Sequence, residues 1–532
     1  MTSPTLWDKI LSSEKIILGE ELKNYSRSTG FSEALPLAVL RPTSVSEVQQ
    51  IVEVANQNQI LVYPISRGQN WGYGDACAPS AGQVILDLRN MNRIIEVNEE
   101  LGYVVLEPGV TQAQLWEHLK EKNISLWMDS TGAGPGASLV GNIADRGFGH
   151  TKYGDHFINT CGMEVVLASG KILNTGFGHY KNSRAKYVYR YGVGPILDGL
   201  FSQSNFGIIT RVGIWLMPRP ESFSAFFFLA PQDHDLEKII EVLSPLKRQG
   251  ILQSAVHIAN DLRTLSGKMS YPWERANGEV PLPTKLRENL RKELGIGAWN
   301  GCGSITGTPA MVKAIEKEIK RALKNYHPIF LNDKKLKWAQ ALSKILKKLN
   351  IGLSLASKIE VVGPVFEMLK GVPVSEPLRG ASWRVRKIDE GKLDHPLEQG
   401  AGLVWVSPIL PMTGKDAREL TDILKPIYNK YGFDFLATFT LLTERSMCCV
   451  TNISFDKKRP EEVENAKICY KELVKNMMDA GFIPYRTGPG GFDSLSEGSE
   501  VFWDTVSQIK TALDPQGIIS PGRYQPKKNN FT

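Results

Sequence analysis

Pro64-Ile-Ser-Arg-Gly-Gln-Asn-Trp-Gly-Tyr-Gly74 is the stretch on which the reading of this 532-residue chain turns. Gln59-Ile-Leu-Val-Tyr63, just before it, is an apolar run rich in branched and aromatic residues, the pattern of a buried strand. The strand gives way at once to Gly68, Gly72 and Gly74. Glycine admits positive φ and lets a large ligand approach bare backbone. Successive N–H groups in such a turn converge on an anion, so a diphosphate is a natural guest. Taken alone, the loop is equally well a plain glycine turn between strands.

Outward from the loop, Ser44-Val-Ser-Glu47 opens a helix as a capping box, with Val45, Val48, Val52 and Ala55 on one face. Strand-like runs follow at 84–88, 93–97 and 103–107, then a capped helix from Thr111 with Leu115, Leu119 and Ile124 as its apolar trace. Further on, 162–168 and 207–216 read as strands flanking a helix near 196–203. This order is α+β and not a regular βαβ series. After Pro218-Arg-Pro220 the texture changes: helices at 235–248, 309–325, 334–349, 413–431 and 459–480 alternate with short strands at 224–229, 251–258, 403–406 and 447–454. A separate domain with a proline-containing boundary is expected. A last helix ends at an Asp-Pro turn, Asp514-Pro515.

A second glycine-rich segment, 130–147, places Gly132, Gly134 and Ala137 on the loose dinucleotide fingerprint, with Asp155 near the distance of a ribose-binding acid. Pro135 inside the loop, and the want of a clear following strand ending in an acid, argue against a nucleotide-binding βαβ unit.

Composition narrows the function classes. A chain of this length folds as more than one domain. Its 42% hydrophobic and 22% charged content is ordinary for a globular protein, and a net charge of +7 does not argue for nucleic acid. Six cysteines without Cys-x-x-Cys spacing suggest neither zinc nor a disulfide framework, so no metal is expected. No signal peptide or bilayer-spanning run is read, and a cytoplasmic location follows. The lysine-rich run 334–349 sets Trp338, Leu342, Ile345, Leu346 and Leu349 on one helical face. A docked helix with a solvated basic face is the expectation, and membrane or partner docking the alternative.

Taken together, residues 64–74, Gly141-Asn-Ile-Ala-Asp-Arg-Gly147, Tyr153-Gly-Asp-His156, Leu200-Phe-Ser-Gln-Ser-Asn-Phe-Gly-Ile-Ile209, Tyr485-Arg486-Thr487 and Asp514-Pro-Gln-Gly-Ile-Ile-Ser-Pro-Gly522 resemble the vanillyl-alcohol oxidase and p-cresol methylhydroxylase flavoproteins. The resemblance runs in order from about residue 35 to the end, and is weakest around 330–375. It implies a two-part PCMH-type FAD-binding domain, residues 1–220 with a C-terminal return at 485–532, and an inserted α+β substrate (cap) domain at 221–484. It implies that the first loop (Pro64, Ser66, Arg67, Gly68, Gln69 and Asn70) cradles the FAD diphosphate. Ser130, Gly136, Ser138, Gly141 and Asn142 would run beside the flavin ring, and Gly207 and Ile209 would hold the adenosine half.

Family members pass a hydride from the benzylic carbon of a para-substituted phenol to flavin N5. Loss of hydride is easy only from the phenolate, whose oxygen pushes electrons through the ring to a quinone methide. A free phenol has a pKa of about 10, so the site must favour the anion. Tyr73, Tyr485 and Arg486 match the family's anion-binding trio, with Arg486 also offsetting charge on the reduced flavin. Asp145 matches the carboxylate beside the reacting carbon, there to stabilise the methide or to deprotonate water adding to it. Without the resemblance, Tyr73 is a cover for the turn, Asp145-Arg146 a structural salt bridge and Tyr485-Arg486 a surface pair. Tyr153, His156 and Glu390 are further candidates for the site wall.

The expected function is oxidation of a 4-alkylphenol or 4-hydroxybenzyl alcohol, with oxygen or an electron-acceptor protein reoxidising the flavin and a homo-oligomeric assembly. The alternatives keep the fold and FAD but take a hydroxy acid, sugar or other natural product, or leave a flavin-bearing subunit without turnover of its own. Histidine-linked relatives match through residues 400–408, where Gly402 stands in place of the linking histidine, and Gln69 occupies the corresponding place in the glycine loop. His395 is the remaining histidine within reach, so non-covalent FAD is expected.

Overall fold

A computed structural model describes residues 6–348, 362–496 and 498–525. The capping box forms: Ser44 Oγ accepts from the Glu47 amide at 3.2 Å, and the helix Val45–Gln57 buries Val48, Ile51, Val52 and Ala55. That face packs on a small sheet in which Ala38–Leu40 and Val62–Ile65 both run parallel to Val84–Asp87, with Ile16–Ile17 antiparallel at one edge. The helix is thus the crossover between two parallel strands, and the glycine loop leaves the end of the second.

A second, wholly antiparallel sheet orders Ile94–Asn98, Tyr103–Leu106, Ile208–Trp215, Thr160–Val166 and Ile172–Asn174. The helix expected near 196–203 shrinks to a single 3-10 turn, Asp198–Phe201. The C-terminal segment returns to the first sheet. Val62 N–H donates to Ile518 O at 2.9 Å, and Ser520 N–H to Val62 O at 2.8 Å. Asp514 fixes that return, accepting from buried Lys510 Nζ at 2.6 Å and from the Ile519 amide at 2.8 Å.

The third sheet lies between residues 222 and 484 and holds nine antiparallel strands among the described residues. Strand Val256–Asn260 begins later than the run 251–258 suggested. Helices Asp235–Arg248, Pro309–Ala322, Gly414–Lys430 and Pro460–Asp479 supply apolar residues to the core on one of its faces. Side chains alternate along a strand. Val256, Ile258, Ala437, Phe439 and Leu441 therefore enter that core, while His257, Ala259, Thr438 and Thr440 face a cavity on the other side.

The lysine-rich helix Asp333–Lys348 does not dock by the face its sequence favoured. Leu336 is buried, whereas Trp338 is 83% exposed and Leu342 and Ile345 are also in solvent; Leu349 lies outside the described residues. Packing against strand Ile329–Leu331 and Phe366 selects Leu336 over the longer apolar stripe.

Candidate active site

The cavity measures about 1310 Å³. Pockets for a single small ligand run from about 300 to 1,000 Å³, so this one has room for a dinucleotide-sized group and a substrate together. Its floor is the glycine loop. Gly68, Gly72 and Gly74 all have positive φ, at +68°, +77° and +115°. A Cβ on Gly68 would lie 2.7 Å from Ala76 Cβ, and one on Gly72 would lie 2.6 Å from Trp405 Nε1, so chain conformation and close packing both demand glycine. Gly68→Ala is expected to cost about 1–3 kcal/mol of stability and to weaken FAD retention. A thermal melt and a flavin-to-protein ratio equal to wild type would contradict that.

Pro64, Ser66, Arg67, Gly68, Gln69, Asn70, Ser138, Gly141, Asn142, Gly207 and Ile209 all line the cavity. Gly136 and Ser130 do not: Gly136 packs on the Gln69 amide, and buried Ser130 donates to Val372 O at 3.2 Å. Ser138 caps the helix Leu139–Ala144, accepting from Gly141 N–H at 2.9 Å. Arg67 Nε and Arg486 Nε are buried with no hydrogen-bond partner, and both residues face this space. Buried donors are rarely left unpaired, so an acceptor-rich group such as FAD fits the lining.

Asp145, Tyr73, Tyr485 and Arg486 converge on the same cavity. The Arg486 guanidinium stacks 3.7 Å from the centre of the Tyr73 ring and lies 5.6 Å from that of Tyr485. Tyr73 OH is 3.0 Å from Ser407 Oγ, and its ring stacks on Trp405 at 6.4 Å. Burial raises the pKa of both tyrosines against the pull of Arg486, so each presents a protonated hydroxyl at neutral pH. For Arg486 burial acts downward, but Tyr485, Tyr73 and Asp145 outweigh it and keep the cation charged.

Asp145 caps the C-terminus of helix Leu139–Ala144, where the helix dipole disfavours an anion. Two groups compensate. Asn70 Nδ2 donates to Oδ2 at 2.5 Å, and Arg523 Nη2 pairs with Oδ1. Burial would raise this carboxyl, but Arg523 and then Arg486 hold it below the usual range. The salt bridge is therefore with Arg523 and not with Arg146, which donates instead to Ser202 Oγ at 2.7 Å. Arg523 also donates to Tyr63 OH at 2.8 Å. Sequence reading missed it, although it follows the quoted Ser520-Pro-Gly522 directly and precedes a tyrosine.

The further candidates lie outside the cavity wall. His156 bridges Asn142 Oδ1 and Asp129 Oδ2, each at 2.6 Å, and so orients Asn142. Tyr153 lies beneath Lys152, and Glu390 pairs with Arg379 near the surface.

Residues 36–176 match the FAD binding domain family. The chain is 35% identical over 492 residues to 1'-carboxy-chondrochloren decarboxylase of Chondromyces crocatus, covering 92% of this chain and 90% of that protein. It is 31% identical to the flavoprotein subunit of 4-cresol dehydrogenase (hydroxylating) of Pseudomonas putida, over 93% of this chain and 89% of that one. The solved structure of p-cresol methylhydroxylase with substrate bound superposes with a TM-score of 0.87 at 28% identity, covering 100% of this chain and 99% of that chain. A 4-ethylphenol oxidase from Gulosibacter chungangensis, in its isoeugenol complex, also gives 0.87 at 29% identity, with coverage of 100% and 99%. Fold and cofactor site together define an FAD-dependent oxidoreductase. The chain belongs to the PCMH-type flavoprotein family, that of p-cresol methylhydroxylase.

Proposed function

We propose that this enzyme removes a hydride from the benzylic carbon of a para-substituted phenol, of the 4-alkylphenol or 4-hydroxybenzyl alcohol type. One observation carries the reading: Arg486 stacks 3.7 Å from the Tyr73 ring centre, with Tyr485 beside it in the same cavity. Two neutral hydroxyl donors and one permanent cation favour a phenolate over a phenol. FAD, held by residues 1–220 and the return at 485–532 beneath the cap at 221–484, supplies the hydride acceptor. Arg486 binds the phenolate, and Tyr73 and Tyr485 donate hydrogen bonds to its oxygen. Asp145 is tied to Asn70 and Arg523 and held ionised, which makes it a weak base. Its part is fixed negative charge near the electron-poor methide carbon, ahead of proton abstraction from water.

The decarboxylase relative favours a second fate for the methide. Where the para side chain bears a carboxylate next to the benzylic carbon, the C–CO₂ bond breaks and its electron pair restores the aromatic ring. A vinylphenol and CO₂ leave. Either way two electrons pass to FAD, and oxygen or an electron-acceptor protein removes them in the cytosol. Anaerobic mixing with 4-ethylphenol and 4-hydroxybenzyl alcohol tests the reading. Bleaching of the flavin is expected, and an unchanged oxidised spectrum with every phenol would overturn it.

FAD is proposed to be non-covalent. Gly402 pairs with Phe455 in the sheet, and a Cβ at 402 would lie 2.6 Å from that ring's Cγ, so a histidine has no room there. His395 is half exposed, 3.9 Å from Glu398, and outside the cavity. Acid precipitation is expected to release all the yellow colour. An intact-protein mass increased by one FAD would reverse the conclusion and point to His395.

A further inference from the structure

We infer that the cavity takes a substrate whose para side chain ends in a carboxylate, and that Arg263 is the residue that receives it. The inference rests on the phenol reading of the same cavity and adds the chemistry of the substrate's other end.

Arg263 belongs to the short helix Asp261–Ser266 and lines the cavity. The acid nearest in sequence, Asp261, is fully buried and paired with Arg287 at 2.7 Å. It cannot also neutralise Arg263. Arg263 Nη1 donates to the neutral Asn452 Oδ1 at 3.3 Å, and no carboxylate lies within ion-pair distance of the guanidinium among the described residues. The other enclosed arginines are provided for: Arg384 meets Glu462 at 3.4 Å, Arg287 meets Asp261, and Arg523 meets Asp145. Burial pushes the Arg263 pKa down to about 10, with no acid acting in the opposite direction. A cation removed from water without an anion is costly, and enclosed charges are normally paired.

Trp405 fixes where the missing anion belongs. Its ring stacks on Tyr73 at 6.4 Å and carries the Arg263 guanidinium 5.3 Å from its centre. One indole therefore separates the phenol-binding pole from the unpaired cation, a span suited to a phenol with a short acid side chain. Lys268, also on the cavity wall, adds positive potential at this end. Arg379 adds less, since Glu390 already neutralises it.

The test is titration of the holoenzyme with 3-(4-hydroxyphenyl)propanoate, its neutral amide and 3-phenylpropanoate, following the flavin spectrum. Wild type is expected to bind the hydroxy acid about tenfold or more tighter than the amide, the scale of one charge-assisted contact. Arg263→Met should bring that ratio to about one, and Arg263→Lys should retain part of it, since a point charge replaces the planar fork. Equal affinity of acid and amide in wild type, or a ratio that survives Arg263→Met, would overturn the assignment. Should Arg263→Met not fold, the wild-type ratio and the Arg263→Lys ratio decide. The phenol reading fails separately: 3-phenylpropanoate would then bind as tightly as the hydroxy acid while still depending on Arg263.

Discussion

Arg486→Lys is expected to keep FAD and lose flavin reduction by a factor of about 10² or more, the usual scale for removing a donor from a developing charge. The guanidinium works here as a plate and as a fork. Its plane lies 3.7 Å from the Tyr73 ring centre, while Nη1 reaches the Asp145 carbonyl at 3.4 Å and Nε is left without a protein partner. An ammonium cannot stack in this way, and its single charge centre cannot face a phenolate and a reduced flavin together. Removing the stacked cation also frees Tyr73 from the group that draws its pKa down, so its hydroxyl becomes a poorer donor to the phenolate. Stopped-flow reduction with 4-hydroxybenzyl alcohol is the measurement. A wild-type rate in a variant of normal FAD content would remove Arg486 from the anion site.

How much of this was legible in the sequence depends on how local each signal is. The glycine loop reads directly, because positive φ at Gly68, Gly72 and Gly74 is a property of the chain itself. The amphipathic helices of the 222–484 region read well for the same reason. Strand Trp299–Gly307 did not read at all, since Gly301 and Gly303 look like turn residues. Their meaning is tertiary: a Cβ at Gly303 would lie 2.6 Å from the Phe226 ring across the sheet. The lysine-rich helix misled for a related reason, its longest apolar stripe being on the exposed side. In the site, Tyr73, Asp145, Tyr485 and Arg486 were found through motifs, and the cavity brings all four together. Arg523 and Arg263 were not. One acquires its role by pairing across 378 positions of sequence, the other by lacking a pair, and neither fact is written in neighbouring residues.

Asp145→Asn is expected to slow hydride transfer about 10²-fold while phenol binding survives. The amide fills the same volume and still accepts from Asn70, but it brings no negative charge to the carbon from which hydride departs. It also strands Arg523, whose own pKa is pulled down by burial and held up chiefly by Asp145. Breaking one side of an enclosed ion pair costs about 3–5 kcal/mol, so a lower melting temperature is expected as well. A slow variant could then be slow only because the site has loosened. The double variant Asp145→Asn/Arg523→Gln separates the two causes. It removes both charges, so most of the lost stability should return, by the coupling expected of groups in direct contact. Flavin reduction should remain slow, because the charge beside the reacting carbon is still missing. If the double variant regains both melting temperature and reduction rate, Asp145 serves only to anchor the C-terminal return through Arg523. If it regains stability alone, its carboxylate acts on the substrate.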